Sequence, residues 1–511
     1  MNKIERIGII DIGSNSIRLA IYEETDHTAH RIIEESKDSA RLSQKIRSDD
    51  TLPDEDIGTI VQTLNHFKML CEANQTAKIR AVATAAIRNA RNSTEIIDKL
   101  QKGTGLDIEI LSGSEEARLG FLGTINTIDI EDGFLIDIGG GSTEVTLFHN
   151  RAIVNSISFP FGSVNTTKKF TREGELDESD CKRIKSMVVE ELMNEPWIAS
   201  KKGLTLIGLG GTIRSIGKLD QRRKNYSLPL THNYEMEAKV VDLLVEELSA
   251  LPVEKRKKLE GLSKDRADII VPGLLILQTI FHYIEAVSYR ISGSGLREGL
   301  YFETISPKQP KVPNVLKYSV RNLLSLHPSV PLQHVEQVNK IALKLFDDLQ
   351  TVHEYGPRIR EFVDVASLLY RIGVTVLYYE YAKHTFYLMA HSRIDGLSHR
   401  EILICALSAS YKHKHRTRKM CLEYKDILTE SDGQLIIKLG TLLQLAIALD
   451  RSETQPVQEI IAIPKKNILE LNLKCTHLPM IEWREIQNLQ RDFQREWNLQ
   501  IVCEQPIIST K

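Results

Sequence analysis

The chain is short of cysteine in any arrangement that would bind or bond. Its six cysteines (Cys71, Cys181, Cys405, Cys421, Cys475 and Cys503) are scattered, with no CxxC or zinc-ligand spacing. That excludes a disulfide framework and fits reduced thiols. An uninterrupted apolar run of the ~18 residues that a membrane helix needs is also missing. The N-terminal MNKIERIGIIDIG reaches Gly, Asp and Gly too soon for a signal-peptide core, so a cytoplasmic protein without a membrane span is expected. With 29 Gly and 16 Pro in 511 residues, neither a fibrous nor a disordered chain is indicated. Nor does one sign of charge dominate. Lys+Arg number 66 against 68 Asp+Glu, a net charge of −2, so bulk electrostatics advertise no nucleic acid or other polyanion.

What is present is a globular composition, 42% hydrophobic and 26% charged, at a length that calls for several domains. Three prolines in the eight residues SPKQPKVP (Ser306 to Pro313) read as a linker. Splitting the charge there is informative: residues 311–511 carry 26 Lys+Arg and 22 Asp+Glu, net +4, leaving 40 against 46, net −6, for residues 1–310. Before the linker, strand-like alternation and helical periods alternate, the α/β pattern. After it, apolar spacings of three and four predict helices over Val315 to Leu326, His334 to His353, Arg360 to Ile372 and Arg400 to Tyr411. The tail from Glu459 returns to short strands and an amphipathic helix near Ile481 to Trp497.

An internal repeat organises the first part. IGIIDIGSNSIRLAIYEE is echoed by GFLIDIGGGSTEVTLFHN from Gly133, with Asp11 equivalent to Asp137. In each copy an apolar strand ends at an Asp, a small-residue turn follows and a second strand begins. A dinucleotide fingerprint or P-loop would place a helix there instead. Two homologous α/β lobes facing a cleft are expected.

Gly13, with Gly139, Gly140 and Gly141 in the second copy, lets the backbone approach a ligand closely, and successive N–H groups in such turns suit phosphate. Ser14, Asn15, Ser16, Ser142 and Thr143 add hydroxyl and amide donors. Either loop alone reads better as a plain hairpin turn; its duplication at matching positions favours the ligand. A third loop, GLGGT with Gly210, Gly211 and Thr212, leads into a helix near Ile213, whose N-terminus favours anions, although taken alone a structural strand-helix turn is its commoner explanation. Asp11, Asp137 and Glu144 are hard oxygen ligands beside these turns, which suits Mg²⁺ bridging carboxylate and phosphate. In SGSEEARLGFLG the acids Glu115 and Glu116 open a helix about 100° apart, so at most one of them faces the cleft. Thr84, Arg88 and Arg91 are predicted on one face of a helix following IRAVAT, where an arginine fork suits phosphate or a surface ion pair.

These motifs, DIGSNS at Asp11, ATAAIRNA at Ala83, SGSEEAR at Ser112, IDIGGGSTE at Ile136, GLGGTIR at Gly208, RADIIVPG at Arg266 and SGSGLREG at Ser292, resemble the exopolyphosphatase and guanosine pentaphosphate phosphatase family nearly end to end. The resemblance implies two actin-like, duplicated ribonuclease-H-like lobes (1–125 and 126–305), an all-α HD-like domain (314–455) and a small α+β unit (456–511). It places the catalytic base on Glu116 and the metal and water-orienting roles on Asp137 and Glu144, and it matches Arg88, Asn15, Ser142 and Thr143 to phosphate-binding positions. It further implies Mg²⁺, with Mn²⁺ as a second candidate, and a homodimer. The implied reaction is processive release of orthophosphate from the ends of inorganic polyphosphate. The rival substrate is pppGpp, and a third reading is a (p)ppGpp-binding regulator without turnover.

In the helical part, where an active HD hydrolase carries its His-Asp pair, this sequence reads Tyr370-Arg371, with His384 and Asp450 as relics; that domain is read as non-catalytic. The run YKHKHRTRK concentrates Lys412, Lys414, Arg416, Arg418 and Lys419 in nine residues. Such a run is commonly a solvated face; here it is read as a track for long polyphosphate, held by counterion release as nucleic acids are.

Overall fold

The computed structural model describes residues 5–25 and 29–508; the start of the N-terminal segment (1–4) and the end of the tail (509–511) lie outside them. The first apolar repeat builds a sheet of β1 (Glu5–Ile12), β2 (Ile17–Glu24), β3 (His30–Asp38), β4 (Lys78–Ala83) and β5 (Ile108–Ile110) in the order β3-β2-β1-β4-β5. β1, β2 and β3 are antiparallel, and β4 and β5 run parallel to β1. Ile7, Ile9, Ile10 and Ile12 of β1 are all buried, so the strand is apolar on both faces, as a central strand covered on both sides must be.

The second lobe repeats this plan. β6 (Gly133–Ile138), β7 (Thr143–His149), β8 (Ala152–Phe159), β9 (Thr205–Leu209), β10 (Glu235–Glu237) and β11 (Ser288–Ile291) pair in the order β10-β11-β9-β6-β7-β8. Taken from β8 to β11, order and direction match the first sheet, with β10 added at the edge. The helices Gly113–Ile125 and Leu296–Ile305 pack against each other through glycine. A Cβ on Gly299 would lie 2.0 Å from the Leu119 carbonyl oxygen, and one on Gly123 would lie 2.1 Å from that of Gly295.

The chain forms two compact units. The first runs to Asn225 and resumes over Thr231–Val315; the second joins Tyr226–Leu230 to the residues from Leu316 onward. The stretch Ser306 to Pro313 is not the free linker its prolines suggested. Within the first unit Asn126 Nδ2 donates to the Pro310 carbonyl at 2.7 Å, and the Val312 amide donates to Asn126 Oδ1 at 2.8 Å. Arg151 Nη2 donates to the Val312 carbonyl at 2.9 Å as well.

In the second unit the helices Leu332–Asp348, Pro357–Leu369, His399–Ala409 and Glu430–Ala448 share one core, into which Leu228 inserts fully buried. Its small sheet has β12 (Val457–Lys465), β13 (Ile468–Cys475) and β14 (Gln500–Cys503) in that order, with β15 (Ile507–Ile508) also paired to β13 and the helix Met480–Trp497 between β13 and β14. Tyr370 donates its hydroxyl hydrogen bond to His334 Nε2 at 2.5 Å, and His334 Nδ1 meets Asp450 at 2.7 Å, all three buried. Asp450, read with His384 as a relic, is thus held by His334. Among the described residues no helix is long and apolar enough to cross a membrane.

Candidate active site

Each repeat ends its first strand on an acid one residue before the strand stops. Asp11 on β1 and Asp137 on β6 line one pocket in the first unit with Gly13, Ser14, Asn15, Ser16, Thr84, Glu116, Gly139, Gly140, Ser142, Gly210 and Gly211. Thirteen of the residues singled out from the sequence therefore converge. The cross-strand neighbours of the two acids differ: Asp11 pairs with Arg18, whereas Asp137 pairs with Glu144. One duplicated position thus carries a cation in the first lobe and an anion in the second.

The choice between Glu115 and Glu116 is made by the helix cap. Ser112 is the N-cap, and its hydroxyl oxygen accepts from the Glu115 amide while the Glu115 carboxylate accepts from the Ser112 amide at 3.0 Å. Glu115 is committed to this box, and Glu116, one residue on, turns into the pocket. There it forms an ion pair of 2.8 Å with Arg88 Nη1. Burial pushes the Glu116 carboxyl up to about 7; Arg88 opposes that rise, and Asp137 and Asp11 add to it.

The third loop starts its helix earlier than expected, at Gly210 rather than near Ile213. Gly210 has φ +78°, and a Cβ there would lie 2.7 Å from Asp137 Oδ1. A Cβ on Gly211 would lie 1.7 Å from Arg266 Nη2, so the Arg266 guanidinium lies directly against this backbone.

Several assignments are corrected. Thr143 is buried with its hydroxyl donating to the Phe161 carbonyl at 2.6 Å, and Thr212 is buried beside Gly273; neither lines the pocket. Gly141 packs against Ser14, Ser43 and Ala85 behind the lining. The helix after β4 is a single turn, Ala85–Arg88, so Thr84, Arg88 and Arg91 do not share a helix face. Arg91 is exposed beyond its end, and Arg88 grips Glu116 rather than lining the pocket. Glu144 lies beneath the pocket, accepting from Ser158 Oγ at 2.7 Å, with its carboxyl raised well above the ordinary range by burial and then by Glu116. Asp11, Asp137 and Glu144 do not form one ligand cluster; among the described residues no group of three or more His, Cys, Asp or Glu is placed to hold a metal ion. In the second unit Lys414 is held by both oxygens of Glu496 at 2.9 and 2.8 Å and Lys412 lies 3.5 Å from Glu380. The helix begins at Lys414, which spreads Arg416, Arg418 and Lys419 around its axis rather than along one stripe.

Sequence reasoning missed four arginines. Arg18, Arg214, Arg266 and Arg297 line the same pocket from four separate segments. Burial and mutual repulsion lower Arg214 and Arg266 to about 10. Arg297 is also desolvated, yet Glu298 and Glu35 raise it, the latter through an ion pair of 2.6 Å. Arg214, Arg266 and Arg297 stood in the quoted motifs GLGGTIR, RADIIVPG and SGSGLREG, while Arg18 follows DIGSNS; all were visible but without a sign that they converge.

Burial raises Asp11 against the pull of Arg18 and Arg297 and lifts Asp137 to about 6 against that of Arg214, Arg18 and Arg266, and no described residue donates a hydrogen bond to either carboxylate. These two oxygen groups, without a hydrogen-bond donor and open to the pocket, fit a small hard divalent ion, which binds through one or two carboxylates with phosphate oxygens and water completing its shell.

Two ribonuclease-H-like lobes closing on glycine loops, paired acids and arginines define a protein of the actin-like class. The model of the Ppx/GppA phosphatase family matches residues 20–307, and that of the family's domain III matches residues 315–493. The chain belongs to the Ppx/GppA phosphatase family, a family of hydrolases. It is similar to the crystallised family member from Aquifex aeolicus, 28% identical over 60% of this chain and 99% of that one, with a TM-score of 0.52. An exopolyphosphatase from Cytophaga hutchinsonii, 22% identical over 60% of this chain and 100% of its own, shares the fold with a TM-score of 0.56.

Proposed function

We propose that the protein is an exopolyphosphatase that hydrolyses the terminal phosphoanhydride of inorganic polyphosphate and releases orthophosphate. The observation that carries this reading is Glu116: a carboxylate lifted to about 7, oriented by Arg88 at 2.8 Å, and facing loops and arginines suited to phosphate. Glu116 takes the proton of the attacking water as its oxygen bonds to the end phosphorus. The bridging P–O bond breaks, and negative charge passes to the shortened chain. Arg18, Arg214 and Arg266, with the N–H groups of the loops at Gly13, Gly139 and Gly210, stabilise charge on the phosphate oxygens. Asp137 and Asp11 would hold a divalent ion, Mg²⁺ first and Mn²⁺ second, which would supply further neutralisation of phosphate charge. The lining of glycines, hydroxyls, carboxylates and guanidiniums offers phosphate more partners than it offers a purine, which supports polyphosphate as the substrate.

The test is phosphate release from long polyphosphate, tripolyphosphate, pppGpp and ATP with Mg²⁺, beside Glu116→Gln. Loss of about 10² to 10⁴-fold in kcat with polyphosphate still bound is expected. Near-normal turnover would remove Glu116 from the role, release from pppGpp alone would reassign the substrate, and release from none would favour a (p)ppGpp-binding regulator.

A further inference from the structure

The guanidinium of Arg266 forms no hydrogen bond or ion pair with any described residue, although it lies half-buried against Gly211 at the third loop. What fixes it is its own short turn, Lys264–Arg266, together with the residues that grip that turn from two directions. From within its own lobe, fully buried Arg256 donates Nη1 to the carbonyls of Ala267 at 3.3 Å and Gly174 at 3.0 Å. From the first lobe, Arg41 forms a fork on Asp268, Nη1 to Oδ2 at 2.7 Å and Nη2 to Oδ1 at 3.1 Å, and adds a bond from Nη2 to the Asp265 carbonyl at 2.8 Å. Lys37 pairs with Asp265 at 2.6 Å.

Arg41 is tied at its other end to the first phosphate loop. Its backbone is in the left-handed region, φ 49°, and its amide donates to the Asn15 carbonyl at 2.9 Å. A non-glycine residue in that region is held there by its surroundings. One residue therefore touches the loop of the first lobe and the segment that carries the free arginine of the second. A lone surface ion pair is worth little, but a bidentate fork with a third bond fixes geometry as well as charge.

We propose that Arg41 and Asp268 form an interlobe latch that positions Arg266 over the third loop, so that the grip on phosphate depends on contact between the lobes. Arg266 touches the phosphate; Arg41 and Asp268 are positioning residues. The proposal rests on the phosphoanhydride-hydrolase reading above.

The experiment is a double-mutant cycle on the full chain with Arg41→Ala, Arg266→Ala and their combination, with tripolyphosphate as substrate and Asp268→Asn as the milder second route to the latch. Arg41→Ala and Asp268→Asn are each expected to raise KM about ten-fold with kcat within about two-fold, the pattern of lost uniform binding. Added to Arg266→Ala, Arg41→Ala should raise KM no further, because the group it positions is gone. Arg41→Lys keeps the charge and loses the fork, and should still raise KM, which a long-range field effect would not do. Multiplicative effects in the cycle, or an unchanged KM in Arg41→Ala and Asp268→Asn, would overturn the latch. The same cycle is run on the Kd for tripolyphosphate in EDTA. A wild type that releases no phosphate yet shows the non-additive cycle in Kd overturns the functional reading and keeps the latch. Turnover with a multiplicative cycle does the reverse, and a wild type that binds no tripolyphosphate sinks both.

Discussion

At the scale of single residues, Glu116 sets the pH behaviour. A base works when ionised, so kcat/KM should rise with pH through roughly 7 and level off above it. Arg88 pulls that carboxyl down, so Arg88→Met should move the acid limb to higher pH; a pH profile of kcat/KM that stays in place would show that Arg88 does not tune it. Stability runs the other way. A carboxyl whose folded value is raised from 4.5 to about 7 binds its proton more tightly folded than unfolded. Its favourable contribution is present below the unfolded value and lost as pH rises toward 7, a loss on the order of 3 kcal/mol for this shift. Glu116→Gln should therefore melt a few degrees above the wild type at pH 8, with the difference shrinking toward pH 4.5, in paired thermal melts. Much of this site was legible before any fold was known. The Asp-Gly turn occurs twice, and helix geometry limits the cleft to one of Glu115 and Glu116; which one was not legible from spacing, and the Ser112 capping box seen in the structure leaves Glu116 as the residue turned inward. Arg18 was not legible, because the repeat gives no reason why its counterpart is Glu144. Thr143 and Thr212 misled for a related reason: a hydroxyl beside a phosphate turn faces ligand or core according to neighbours far away in sequence.

At the scale of elements, the helix that presents Glu116 is located by glycine contacts rather than by side-chain packing. Gly299 sits where any Cβ would meet the Leu119 carbonyl at 2.0 Å, and backbone cannot swing aside as a long side chain can. Gly299→Ala should push the helices Leu296–Ile305 and Gly113–Ile125 apart, lowering stability by about 1 to 3 kcal/mol. Because the displaced helix carries Glu116, kcat should fall with it. Urea unfolding and turnover on the same sample check both; an unaltered kcat beside a lower midpoint would mean that the helix start is anchored independently, through the Ser112 cap and Arg88. The doubled sheet itself was legible as two apolar strand-turn-strand copies. The glycine helix contact was not, because it joins residues about 180 positions apart and each glycine looks like any other in a helix.

At the scale of the whole molecule, the near-zero net charge divides between an acidic and a basic part, and the two compact units separate almost at that division, between Val315 and Leu316. We propose that the basic run of the second unit adds affinity for long polyphosphate, since neutralising a polyanion's charges releases counterions in proportion to the contacts made. The structure divides that run by task. Lys414 is engaged by both oxygens of Glu496, so Lys414→Gln should lower the melting temperature and leave polyphosphate affinity largely unchanged. Arg416, Arg418 and Lys419 form no ion pair with any described residue and remain available to phosphate. Replacing all three with Gln should raise KM for long chains several-fold and leave tripolyphosphate unaffected. It should also flatten the dependence of long-chain KM on salt by up to about 0.7 per removed contact, the value for single-stranded polyanions. Kinetics at four ionic strengths with both substrates read all of these at once. Equal effects on short and long chains would assign the three cations to the fold of the second unit, and an unchanged salt slope would remove polyphosphate from that surface.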